Sequence, residues 1–202
     1  MMHLSNDSVW SRTALVLSAA LFLGLASCAD KPVPPPSAPV GFGDRPPLTF
    51  TVKSIEMIDA YVPLGRPPNI DHEFPTRASQ VVAHWVSDRL RHTDGDAELR
   101  VTLVDGAVIE TVVKKSAGLV GVVKDQQSRR YDATVTVRLE MVEAGTVRVW
   151  TEGTTRRSRT VADSLTLAER DRVFDQFMWS LGRDLDRVLE QQIRAHFGAY
   201  LK

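Results

Sequence analysis

The 202-residue chain has a single cysteine, no excess of either charge, and no proline beyond Pro75. A lone thiol excludes an intramolecular disulfide and a cysteine-built zinc site. Twenty-five basic against twenty-five acidic side chains leave no long-range field to favour nucleic acid or an anionic membrane surface. Catalytic signatures are missing too: no Gly-x-Ser-x-Gly elbow, no phosphate loop and no dinucleotide fingerprint. The histidines, His3, His72, His84, His92 and His196, form no His-x-x-x-His pair. Asp184 and Asp186 lie two apart on a helical stretch and so point to different faces; carboxylates there are expected on the solvated side. These absences predict a non-enzymatic protein with no catalytic residue, no metal, no cofactor and no nucleic-acid partner.

What the chain does have begins at its N-terminus. Arg12 precedes the uncharged, mostly apolar run Thr13 to Ser27. As a helix this run spans roughly 22 Å at about 1.5 Å per residue, short of a bilayer core of about 30 Å. It fits a signal-peptide core better than a permanent transmembrane anchor. The run ends in Leu25-Ala26-Ser27-Cys28, which resembles the bacterial lipobox, a branched apolar residue and two small ones before a cysteine. The resemblance implies that residues 1–27 are a signal peptide, removed before Cys28, and that Cys28 is lipidated. About two or three acyl chains anchor a protein stably, whereas one binds marginally. Ala29 directly after the cysteine, with Asp30 one place later, leans the expectation toward the outer membrane with the protein facing the periplasm.

Residues 29 to 47 hold seven of the eleven prolines. With Cys28 they make a lipidated tether, residues 28–47, semi-rigid and polyproline-like at up to about 3.1 Å per residue. Residues 48–202 then form the periplasmic domain. Leu48 to Tyr61 alternates as a strand whose phase shifts near Ser54, as at a bulge. Val62 to Pro75 is a loop marked by Pro63, Gly65, Pro67 and Pro68. Ala78, Val81, Val82, Trp85, Val86 and Leu90 repeat at helical spacing over Thr76 to His92, with Thr76 as N-cap. Leu99, Val101 and Leu103 alternate, and Asp105-Gly106 marks a bulge or turn before Val108 to Val113. Tyr131 to Met141 alternates without a break, one face apolar and one polar, as in an antiparallel sheet. Glu143-Ala144-Gly145-Thr146 is a hairpin turn, and the return strand runs from Val147 to about Arg159. Thr166-Leu167-Ala168-Glu169 is a capping box opening a long helix with one apolar stripe, where Gly182 is a place for a kink. The expected fold is α+β, in the order β-α-β-β-β-α. It has an antiparallel sheet of about four strands with both helices on one face.

Three features bear on function. Arg129 and Arg130 open the clearest strand, and Arg156, Arg157 and Arg159 close its hairpin partner. Pairing about Ala144 and Gly145 brings these ends together, with Lys114, Lys115 and Lys124 flanking the preceding loop. Like charges gathered at one sheet end repel, which suits an anionic ligand such as lipid A, a phospholipid headgroup or an acidic partner surface. The alternative is a charged rim protecting an edge. The loop Ser116 to Ser128 carries Leu119, Val120 and Val122 between lysines and is a candidate docking loop, or else folds back as strand or core. Trp85 and Trp179 belong to the core by spacing. Trp150 is out of phase with Val147 and Val149 and is placed on the other sheet face, partly exposed.

With its lipobox, its strand-helix-strands-helix order and the stretch from Arg129-Arg130-Tyr131 to Thr166-Leu167-Ala168-Glu169, the chain resembles the LptE family of lipopolysaccharide-assembly lipoproteins. Auxiliary lipoproteins of envelope ABC transport systems share these traits. The resemblance implies a partner or chaperone in outer-membrane biogenesis that serves a β-barrel protein and contacts lipopolysaccharide through basic residues. The alternatives are a lipid-handling module of a transport complex and a structural tether.

Overall fold

In the computed structural model, the described residues are 41–113 and 128–202. The longest ladder joins β6, Ser128–Glu143, to β7, Thr146–Ala162. Tyr131, Ala133, Val135, Val137, Leu139 and Met141 are all buried, so the strict alternation becomes one core-facing row. The two strands meet in a two-residue turn in which Ala144 and Gly145 have φ of 47° and 77°. A turn with both central residues at positive φ matches the twist of the flanking strands.

On its other edge β6 carries β4, Glu98–Asp105, and then β5, Val108–Val113, both antiparallel. Leu103 pairs with Val137 and Asp105 with Thr136, so Val104 is one extra residue. β4 and β5 are thus one edge interrupted by a bulge, and Thr134 N donates across the break to Ala107 O at 2.9 Å. β2, Ser54–Asp59, runs parallel to β4. The main sheet is therefore four strand widths across: β2, β4 with β5, β6, and β7.

The α+β class is as expected, but the sheet is mixed, not purely antiparallel, and counts five strands. The expected first strand, Leu48 to Tyr61, is two strands in two sheets. β1, Leu48–Thr51, pairs in parallel with β3, Leu90–Thr93, to make a separate two-stranded sheet. The split has a local cause. Val52 N donates to Thr93 O at 3.1 Å, and the next amide, Lys53 N, donates to Ala97 O at 2.8 Å. The backbone changes partner there instead of bulging. The C-terminus adds to the small sheet, with Lys202 N donating to Thr49 O at 3.0 Å.

β3 takes residues the periodicity assigns to the first helix. That helix, α1, spans Ala78–Arg89. Thr76 does not cap it: its hydroxyl donates to Asp175 Oδ1 at 2.7 Å, while Gln80 Oε1 accepts from Arg77 N at 2.8 Å. The second helix, α2, runs unbroken over Leu167–His196 from the expected capping box, Thr166 N donating to Glu169 Oε2 at 2.9 Å. Gly182 does not interrupt it. A Cβ there would come within 2.5 Å of Val81 Cγ1 and 3.1 Å of Phe42 Cζ, so this glycine lets α1 and residue 42 close on the helix.

Residues 41–47, assigned to the tether by proline content, are packed on the domain. Phe42 is buried, with its ring 5.9 Å from that of Trp179, and its amide donates to Asp88 Oδ2 at 2.9 Å. Arg45 bonds Asp186 and Glu190, and Pro46 O accepts from Arg89. Asp186 is not on a solvated face: at 2% exposure it also accepts from Trp85 Nε1 and Arg89 Nε, each at 2.8 Å. Buried charges persist when paired and hydrogen-bonded, and here three donors, from Arg45, Trp85 and Arg89, converge on one carboxylate. Its neighbour Asp184 takes the outer role, bonding Arg157 at 2.8 Å and pairing with Arg187.

Candidate functional site

The end of the sheet where β6 begins is built by three strands and a helix start. Val113 pairs with Ser128, so β5 ends where β6 begins. Ser128 pairs in turn with Ala162, the last residue of β7. The chain then turns through Asp163 to Leu165, and the first turn of α2 overhangs the sheet. Between them lies a cavity of about 270 Å³ lined by Arg129, Tyr131, Asp163, Leu165, Leu167 and Arg170.

Its lining residue Tyr131 belongs to a buried aromatic cluster. Phe74 and Phe174 stack at 4.0 Å with an interplanar angle of 7°, and Tyr131 meets Phe174 edge-on at 4.9 Å. Burial, with the charge of Glu110, pushes the Tyr131 hydroxyl up to about 12. It remains a neutral hydrogen-bonding phenol at ordinary pH.

Two guanidinium groups face the cavity. Arg129 donates to Glu110 Oε1 at 2.7 Å and Asp163 Oδ1 at 3.1 Å, and these bonds, Glu110's first, raise its affinity for its proton. Arg170 lies 5.7 Å from the Phe174 ring centroid, and its Nε is buried with no hydrogen-bond partner among the described residues. Leu167, among the lining residues, is 65% exposed, and Val112, opposite Arg129 on β5, is 53% exposed. Cationic donors, a buried phenol and exposed aliphatic groups thus occupy one small area.

The hairpin brings the five sequence-predicted arginines to the same end but divides them between faces. Partners across an antiparallel ladder share a face. Arg159 lies opposite Tyr131 and Arg157 opposite Ala133, so both, with Arg129, are on the helix-bearing face. Arg130 and Arg156 are on the opposite face, opposite Thr160 and Thr134. Three of the five are neutralised locally. Arg129 bonds Glu110 and Asp163, Arg157 bonds Asp184, and Arg130 bonds Asp132 at 2.8 Å. The Ser158 hydroxyl and then Arg130 hold the Asp132 carboxyl below its usual range. Arg156 and Arg159 make no hydrogen bond or ion pair among the described residues.

Cys28, the loop residues Leu119, Val120 and Val122, and Lys114, Lys115 and Lys124 lie outside the described residues. Both ends of the segment carrying that loop, Val113 and Ser128, are attached at the cavity's end of the sheet. Trp150 is on the outer face, 59% exposed, with the Arg138 guanidinium 5.4 Å from its ring centroid. Trp85 is fully buried and Trp179 partly so. Sequence reasoning missed Tyr131, Asp163, Leu167 and Arg170 as site residues. A signal existed for Arg170: it lies four residues before Phe174, on the buried stripe, where an arginine is out of place unless it serves something.

No protein-family model matches the chain, and no curated protein does. Among solved structures it is similar to a minor lipoprotein from Acinetobacter baumannii, at 15% identity over 74% of this chain and 94% of that one, with a TM-score of 0.36. It is also similar to the rare lipoprotein B from Shewanella oneidensis, at 11% identity over 70% and 95% of the two chains, with a TM-score of 0.33. Identities and scores at this level assign neither a family nor a residue role.

Proposed function

We propose that the protein is a non-enzymatic envelope lipoprotein, anchored in the membrane through Cys28, whose head serves as a partner or chaperone in outer-membrane biogenesis. Its sheet-end cavity holds the anionic headgroup of an amphiphile such as lipid A. The observation that carries this reading is the union of Arg129, Arg170 and Tyr131 with the exposed Leu167 around one cavity, and the exposed Val112 opposite Arg129 on the neighbouring strand. Guanidinium groups recognise phosphate oxygens through paired N–H donors, while these exposed aliphatic residues suit the acyl region beside a headgroup. A soluble polyanion would leave them unused. No described helix is long and apolar enough to cross a membrane, and Cys28 supplies the anchor in this reading.

Capture of the lipidated protein from detergent-solubilised membranes tests the partner. Recovery of a stoichiometric β-barrel protein is the expected result. Recovery of an ABC permease complex instead would replace this reading with that of a transport auxiliary. Cys28→Ser is expected to release the protein from the membrane fraction; retention there would refute lipid anchoring at this residue.

A further inference from the structure

β7 is 17 residues long, and one of its edges pairs with β6 from Glu143↔Thr146 to Ser128↔Ala162. Among the described residues, no strand pairs with its other edge. Natural proteins blunt such edges with proline, inward-pointing charge, bulges or short length. The middle of this one, Val149-Trp150-Thr151-Glu152-Gly153-Thr154-Thr155, has one charge and no proline. Its bulge, between Val147 and Val149, lies at the hairpin end, and the middle keeps a regular register with β6.

We infer that β7 is a dimerisation edge, which pairs antiparallel with β7 of a second copy about a two-fold axis through Thr154. The charge pattern selects that axis. Trp150, Glu152, Thr154, Arg156 and Ser158 share the outer face; Glu152 accepts one bond from Arg138 at 3.2 Å, and Arg156 has no partner among the described residues. With the axis at Thr154, Glu152 lies directly opposite Arg156 of the second copy, and the contact occurs twice. Trp150 then faces Ser158, Thr151 faces Arg157, and no like charges are opposed. An axis two residues further on sets Arg156 against its own copy, and one two residues earlier does the same for Glu152. Cross-strand partners share a face, so an axis through a residue keeps both outer faces on one side. The two sheets become one of eight strand widths, with all four helices on the other side. This inference is independent of the sheet-end ligand.

The test is sedimentation equilibrium of the full lipidated protein in a density-matched detergent. The wild type is expected to be a dimer. Glu152→Arg or Arg156→Glu replaces two attractive pairs by two repulsive ones and is expected to weaken the dimer about tenfold or more. The double variant E152R/R156E is expected to regain wild-type affinity. Thr154→Cys is expected to form an intermolecular disulfide on mild oxidation, because directly opposed residues of antiparallel strands lie within disulfide reach. A wild type that stays monomeric at every concentration overturns the inference. So does a dimer that ignores both charge reversals and never cross-links at residue 154.

Discussion

Arg89 and Asp186, 97 residues apart in sequence, meet at 2.8 Å with side chains 1% and 3% exposed. Each is on a different helix, and Trp85 and Arg45 close on the same carboxylate. Removing one member of a buried pair leaves an unpaired charge away from water, at a cost of about 3–5 kcal/mol. Asp186→Ala and Arg89→Ala are each expected to lower the urea midpoint by that amount of stability. Arg89→Met combined with Asp186→Asn, which removes both charges, nearly keeps volume and leaves an oxygen for Trp85 Nε1, is expected to recover part of it.

The same cluster ties residues 41–47 to the domain. Phe42→Ala is expected to cost about 3–5 kcal/mol, the usual range for a buried phenylalanine. A chain begun at Leu48 is expected to unfold at lower urea than one begun at Gly41. Equal midpoints would return residues 41–47 to the tether.

How far the sequence carries the fold is clear from particular residues. Tyr131 to Met141 alternates strictly because one face of β6 is core, and that is readable without a structure. The start of α2 is readable because Thr166 and Glu169 satisfy each other's backbone amides. Leu90 misleads: it continues the apolar spacing of α1, yet its backbone is extended, with φ −106° and ψ 136°, because it pairs with Leu48. Non-local pairing of this kind leaves no periodic trace. Asp186 misleads because its neighbour Asp184 suggests a solvated face, although residue 186 itself falls between Gly182 and Leu189 on the buried stripe. Its partners come from α1 and residue 45, which spacing within α2 cannot reveal. The arginine cluster was legible as a cluster. Its division between two faces follows from residue parity once the turn at Ala144 and Gly145 sets the register.

Backbone contact makes Gly95 sensitive. A Cβ there would lie 2.5 Å from the carbonyl carbon and oxygen of Thr51, at the end of β1, whereas one at Gly43 would meet nothing within 4 Å. Overpacking typically costs about 1–3 kcal/mol. Gly95→Ala is expected to reach or exceed that range, because the obstructing atoms are main chain. Gly43→Ala is expected to be neutral in the same thermal denaturation series.

Alkaline titration probes the floor of the cavity. Tyr131 has its pKa pushed up to about 12 by burial and Glu110, and Tyr61 is likewise raised to about 12 by burial and Asp71. A phenol in the unfolded chain ionises near about 10. Below that pH both states hold the proton, and the stabilisation is fully present. Between about 10 and 12 the unfolded state loses protons that the folded state keeps, so stability falls as pH rises. Tyr131→Phe is expected to remove one late-ionising phenol from the tyrosinate absorbance curve and to flatten the loss of stability in this window. An unchanged curve would place the Tyr131 hydroxyl in water.

The central claim is that the sheet-end cavity holds an anionic headgroup, and its most direct test is the affinity of the full-length protein for lipid A. Arg159→Gln with Arg170→Gln removes two cations and leaves the Arg129 bonds to Glu110 and Asp163 in place. Charge-assisted hydrogen bonds contribute about 1.5–3 kcal/mol each, so the account predicts a rise in Kd of at least about tenfold, with the unfolding midpoint nearly unchanged. The outer-face variant Arg130→Gln is predicted to bind as the wild type does. Wild-type affinity in the Arg159/Arg170 variant, or an equal loss in Arg130→Gln, would contradict the account.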